Sequence, residues 1–316
     1  MVPIRLDLTA MRNVVVHLID HLVVPGLLVC GGIATHLLVV AGLAPWLISA
    51  LVVGAVAVVA AVVERARPER AEHRPLDQPL WIEAAHFLFN YHLGYALAFG
   101  VCALIALGVA AGGLASPWPA RWPLALQVLL AVTLAEGCSY WQHRLFHRVR
   151  WLWPFHALHH SGSRLNVVRT GRFHFVDIGP GALLLFLPLV LLQAPAVVVT
   201  WTATLAGILG VLQHANMRVR TPRWLDGLMC TPAVHRFHHS ARERESNANF
   251  GTTVMLFDRL FGSYRPPHAP GPDAVGIVDD ATPAGFLPQT IAPFRRARRD
   301  AGSRSQAMPA RSAPGS

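Results

Sequence analysis

Long apolar runs, separated by short turn-rich or arginine-rich stretches, make up most of the first two thirds of the chain. About 20 apolar residues cross a bilayer as a helix. Four runs meet that length, from about Leu22 to Val40, Pro45 to Val63, Ala84 to Ala111 and Pro123 to Tyr140. Only a short Ala-Gly-Leu-Ala stretch separates the first two, which predicts a helical hairpin. The third opens on polar residues and ends at Gly112 and Gly113, and the segment SPWPARWP divides it from the fourth. A further apolar block between Ile178 and Leu212 is broken by Pro188 and Pro195. It is too long for one perpendicular span and slightly short for two, so it predicts a hairpin that enters and returns to one face.

Composition agrees with a membrane protein: 53% of the 316 residues are hydrophobic and only 14% charged, where a soluble domain would be about a quarter charged. Disordered, collagenous and disulfide-stapled chains are excluded on the same grounds. Cys30, Cys102, Cys138 and Cys230 lie far apart, form no CxxC knuckle and read as small buried residues. Arg5 and Arg12 precede the first apolar run, but Asp20 and His21 interrupt it and no small-x-small site follows, so no cleaved signal peptide is expected. The formal charge is +10, and all 27 basic residues are arginine. With the N-terminus in the cytoplasm, the loop Glu64 to Arg74, the region His143 to Gly179 and everything after His214 share the cytoplasmic side, leaving Arg121 outside. The charge therefore describes a membrane face and gives no reason to expect nucleic acid as a partner. Beyond Pro266 the chain turns to Pro, Ala, Gly and Arg, the composition of a tail without fixed fold, whose arginines reach water or anionic headgroups.

Histidine changes the picture from membrane protein to candidate enzyme. There are 17, ten of them between His143 and His239. His143-Arg-Leu-Phe-His147 places two imidazoles four apart, on one face of a helix. His156-Ala-Leu-His159-His160 and His235-Arg-Phe-His238-His239 repeat the stacked spacing and add an adjacent ring. At a histidine frequency of roughly 5%, one HxxHH arises by accident in on the order of one such chain in 25, and two with an upstream HxxxH far more rarely. Imidazole suits zinc, iron, copper and nickel. Eight nitrogens exceed the four of a structural zinc or the three of a catalytic one, which favours two metal ions. His17, His21, His36, His73, His86, His92 and His268 belong to no cluster and read as interfacial or packing residues.

At these residues the chain resembles the fatty acid hydroxylase and sterol desaturase superfamily of histidine-box di-iron membrane enzymes, over about Leu134 to Tyr264. YWQHRLFH (Tyr140 to His147), with Glu136 ahead of it, is similar to the first box, and WPFHALHHS (Trp153 to Ser161) to the second. Asn166 and RFHFVD (Arg172 to Asp177) follow, with Phe175 where the family has proline. QHANM places His214 two residues before Asn216. VHRFHHS (Val234 to Ser240) is similar to the last box, and NANFGTTVMLFDRLFGSY (Asn247 to Tyr264) to the closing signature, with Ser263 for threonine. The resemblance implies metal ligation by His143, His147, His156, His159, His160, His214, His235, His238 and His239. It also implies roles beside the metals for Glu136 and Asp177, orienting imidazoles, where the plain alternative for both is a helix-end or loop hydrogen bond, and for His174, as ligand, support or headgroup contact. Arg144, Arg172 and Arg236 stand beside the ligands, placed to pair with Glu136, Asp177 or a headgroup, or to face water.

The expectation is an all-α, polytopic membrane bundle with a cytoplasmic helical cap that carries a histidine-rich dimetal site. Residues 1–83 form the N-terminal hairpin and loop, 84–265 the catalytic domain and 266–316 the tail. The implied cofactors are two iron ions, with zinc as a substitute. The implied reaction hydroxylates or desaturates a lipid C–H position, taking dioxygen and electrons from an external ferredoxin, cytochrome or flavoprotein reductase, at the cytoplasmic face of a bacterial inner membrane. A metal transporter would carry its histidines within the spans, and a structural zinc protein would leave half of these ligands unexplained.

Overall fold

The computed structural model describes residues 8–302 apart from 75, 114, 269 and 270. Arg5 and residues 303–316 lie outside the described residues. Among the described residues there is no β-strand, only three isolated bridges, so the all-α expectation holds. Five helices are long and apolar enough to cross a bilayer.

The first hairpin is α1 (Leu8–Val40) and α2 (Pro45–Ala66). Arg67, just past α2, grips Asp20 of α1 with Nε and Nη2 at 3.0 and 2.8 Å, so the end of α2 is fastened to the middle of α1. The third span is a single helical run built from α3 (Leu80–Ala85), a π-helical stretch His86–Tyr91, and α4 (His92–Ala111). It is followed by α5 (Leu124–Arg148) and the short α6 (Trp153–His160). The expected apolar hairpin is α7 (Phe175–Leu191) and α8 (Ala196–His214), turned at residues 192–195. Its two outer ends, Phe175 and His214, return to the side where α5 delivers His143 and His147. The cap follows as α9 (Arg223–Asp226), α10 (Pro232–His238), α11 (Glu243–Ser246) and α12 (Leu256–Leu260).

Two packing devices hold the spans. Val24, Ile48, Val52, Val56, Ile208 and Leu212 form one buried cluster between α1, α2 and α8. Lipid tails are as apolar as these side chains, so burial alone does not favour helix association, and close backbone approach becomes important. Gly94 of α4 supplies it against α7. A Cβ there would stand 2.5 Å from Ile178 Cγ2 and 2.9 Å from the backbone N of Gly179. Gly94→Val is expected to lower the thermal unfolding midpoint in detergent, by a destabilisation of about 1–3 kcal/mol typical of overpacking. An unchanged midpoint would show that the two helices part at no cost.

The turns opposite the site, 41–44, 112–123 and 192–195, contain a single charged residue, Arg121. All other arginines of the connections lie at the site end, as the charge pattern anticipates.

One region departs from the expectation. The tail read as unstructured from 266 onward has a definite course over 271–302, ending in α13 (Phe286–Gly302). Gly276 N donates to His239 O at 2.9 Å, and Gln289, buried on α13, accepts from Arg172 Nη2 at 2.9 Å. Pro and Arg richness concealed this helix because its partners are buried polar side chains on distant elements, which local composition does not report.

Candidate metal centre

The local sequence positions each histidine before any long-range contact is made. Pro154 and Pro232 occupy the first turns of α6 and α10, where the missing N–H costs nothing and the fixed φ starts the helix. Thr231 caps α10, its Oγ1 accepting from Val234 N at 3.4 Å while it donates to Asp226 Oδ1 at 2.6 Å. On these helices the four-residue spacing stacks His143 over His147, His156 over His160 and His235 over His239.

Tertiary structure then sorts nine imidazoles into two groups. His143, His147, His156, His160 and His238 bring ligand nitrogens within 4.8 Å of one another, and His159, His214, His235 and His239 do the same. All nine residues that the resemblance names as ligands are thereby gathered. The split is five and four, and each HxxHH cluster is divided between the groups. His159 and His238 leave their helical neighbours and join the other group. The groups adjoin, since the His160 and His239 rings stack with centroids 4.2 Å apart.

The proton positions follow from the outer hydrogen bonds. Nδ1 lies 2.7 Å from Phe250 O in His143, 2.7 Å from Ala248 O in His238, 2.9 Å from Gly210 O in His214 and 3.3 Å from Arg172 O in His159. A carbonyl only accepts, so Nδ1–H donates and Nε2 is left as a bare lone pair. His156 Nδ1 likewise meets the Asp177 carboxylate at 2.8 Å. Yet His143 Nε2 lies 3.0 Å from His156 Nε2, and His214 Nε2 lies 3.2 Å from His159 Nε2. Two lone pairs at that distance repel. Burial, with neighbouring imidazoles adding to it, pushes His159, His160, His235, His238 and His239 well below the usual histidine pKa. Nε2 of His147 and of His238 is buried without any hydrogen-bond partner. Converging neutral donors with nothing to donate to fit a cation in each group.

The residues expected beside the metals part company. Asp177 does hold a ligand ring, that of His156. Glu136 touches none: its carboxylate accepts from Thr252 N at 2.8 Å, Thr253 N at 2.7 Å and Val254 N at 3.4 Å. The expectation that it orients an imidazole is corrected, because the backbone of the loop after Phe250 takes both its oxygens. His174 belongs to neither group. Its Nε2 donates to Thr290 O at 3.0 Å and its Nδ1 accepts from Val176 N at 3.1 Å, so both ring nitrogens are engaged. Arg144, Arg172 and Arg236 pair with neither Glu136 nor Asp177. Arg172 is buried against Glu83 at 3.2 Å, Arg236 faces Glu69 at 3.9 Å, and Arg144 lies over the Trp141 ring and donates to Tyr140.

The closing signature gains a physical meaning. Asp258 accepts from Phe250 N at 2.8 Å and Gly251 N at 2.6 Å, and Ser263 Oγ donates to it at 2.7 Å. Asn249 takes a left-handed backbone, φ 56°, which its short polar side chain tolerates. These bonds hold the 248–251 loop so that carbonyls 248 and 250 face His238 and His143. Backbone partners such as these leave no residue-type signal, although the Asn and Asp that pin the loop do.

Three comparisons bear on this site. Residues 128–263 match the fatty acid hydroxylase family. The chain is 42% identical over 172 residues to an ornithine lipid hydroxylase of Rhizobium tropici, covering 54% of this chain and 51% of that protein. It is 30% identical over 138 residues to a fatty acid hydroxylase of Lecanicillium sp, covering 39% of this chain and 38% of that one. An alkylglycerol monooxygenase of Xenopus tropicalis is 27% identical over 138 residues, with 40% and 28% covered. The chain thus spans about half the length, or less, of the curated relatives it matches. No solved structure matches it.

Proposed function

We propose that this chain, which is similar to the fatty acid hydroxylase family over residues 128–263, hydroxylates a C–H position of a membrane lipid at a dimetal site. The observation that carries the proposal is the pairing of neutral imidazole lone pairs in two adjoining groups. His143, His147, His156, His160 and His238 would hold one ion, and His159, His214, His235 and His239 the other. Two iron ions bound there would supply dioxygen activation, for a reaction in which one oxygen atom ends on carbon as hydroxyl and the other as water, with two protons and two electrons from an external ferredoxin, cytochrome or flavoprotein reductase. Backbone carbonyls and Asp177 keep the ligand tautomers fixed, so no ring reorganises as the centre turns over. Burial of eight of the nine rings keeps water and stray reductants from the reacting carbon.

The similarity to an ornithine lipid hydroxylase supports an acylated polar lipid as the substrate class, and hydroxylases and a monooxygenase among the relatives support hydroxylation over desaturation. The arginine asymmetry supports a cytoplasmic site. Placement of the groups at the ends of α5 and α8 counts against a metal transporter, which needs ligands along the spans.

Lipid extracts from cells with and without this chain, grown under isotopically labelled dioxygen, test the proposal. A lipid heavier by one labelled oxygen atom is expected. A lipid that only loses two hydrogens would instead mean desaturation, and one tightly bound zinc per purified chain with no oxygen consumption under any reductant would sink the oxygenase reading.

A further inference from the structure

The polar residues His86 and Asn90 lie within the third span, where an unsatisfied polar group costs several kcal/mol. Their partners come from α13. Gln289 Oε1 lies 2.8 Å from His86 Nε2, and Asn90 Nδ2 donates to Thr290 Oγ1 at 3.1 Å. The Phe286 ring stands 5.0 Å from that of His86 and 5.8 Å from that of Phe89. The start of α13 is therefore level with residues 86–90, two turns into the third apolar run, which begins at Leu80.

At that level the outer face of α13 is apolar. Leu287, Ile291 and Phe294, spaced by four and three, are exposed, and the helix start adjoins the span through Phe286, 5.8 Å from the exposed Phe89. One turn further on the exposed residues become Arg295, Arg298 and Arg299. No acidic residue occurs between Phe286 and Arg299. An exposed apolar row followed by a cluster of exposed cations is the pattern of a helix lying in a bilayer interface.

We propose that α13 is such a helix: Leu287, Ile291 and Phe294 enter the acyl region of the site-side leaflet, and Arg295, Arg298 and Arg299 bind anionic phospholipid headgroups. The proposal is independent of the hydroxylase reading. It also gives the interior face of α13 a role, since Gln289 holds Arg172, whose carbonyl holds His159, and Phe294, at the edge between the two faces, reaches Phe155 of α6 at 5.1 Å. The helix joins the membrane surface to the wall of the metal centre.

The test places a fluorescent noncanonical amino acid at position 287 of the full chain in lipid nanodiscs, with a second protein carrying it at position 244, on the charged α11. Nitroxide lipids labelled near the headgroup are expected to quench 287 more strongly than aqueous iodide does, with the order reversed at 244. Quenching at 287 by lipid is further expected to rise when phosphatidylglycerol replaces part of the phosphatidylcholine, and that rise is expected to vanish in the Arg295→Gln/Arg298→Gln/Arg299→Gln protein. Iodide prevailing at 287 would overturn the membrane seat, and indifference to phosphatidylglycerol would overturn the headgroup assignment. Neither readout depends on activity.

Discussion

His238→Ala is expected to abolish lipid hydroxylation and to release metal from the five-imidazole group. Nε2 of His238 is buried with no partner in the protein, and its ring is 4.6 Å from His143 and 4.7 Å from His147. Removing such a donor takes away a ligand itself, so the loss of metal affinity should exceed the 10–100-fold typical of residues behind the ligands. His159→Ala is the companion experiment on the other group, whose four members leave it only three. Metal content per chain, measured with activity, checks both. In each variant the untouched group is expected to retain its ion better than the altered one, because the ligand sets are separate. Full activity in either variant would refute the ligand assignment.

The second expected result separates two carboxylates that the sequence places side by side in function. Asp177→Asn is expected to fold normally and to lose metal affinity or turnover by about 10–100-fold, since His156 Nδ1–H loses a charged acceptor. The amide oxygen of asparagine can still accept, which keeps the fold intact. Glu136→Gln should fail differently. Its carboxylate accepts backbone N–H groups from three successive residues, Thr252, Thr253 and Val254. A glutamine turns one oxygen into a donor pointed at donors, leaving buried N–H groups unpaired at about 1–3 kcal/mol each. A lowered unfolding midpoint with the metal ratio preserved in the surviving folded fraction is the expected signature. If Glu136→Gln removed metal at unchanged stability, Glu136 would have to act on an imidazole after all.

These contrasts mark what a linear reading reaches. The three i,i+4 histidine pairs each share a metal group, as helical geometry requires. Asp177 was legible because a side chain reaches a side chain. Glu136 was misread because its partner is backbone, and backbone partners carry no residue identity. The sequence left His174 open among three roles because its neighbour Thr290 lies 116 residues away on a helix hidden by its composition.

Sequence by itself determined the all-α membrane architecture, the placement of the charges at one end of the bundle and eight of the nine histidines that gather, since hydrophobic run length and helical periodicity are local quantities; His214 was named by the resemblance alone. Only the tertiary structure decided the rest. His159 and His238 cross to the other group because the angles between α6, α10 and the ends of α5 and α8 bring their faces together, and those angles arise from packing among distant elements. The same long-range closure seats α13 beside the third span, where buried polar pairs rather than composition make it a helix with a fixed place.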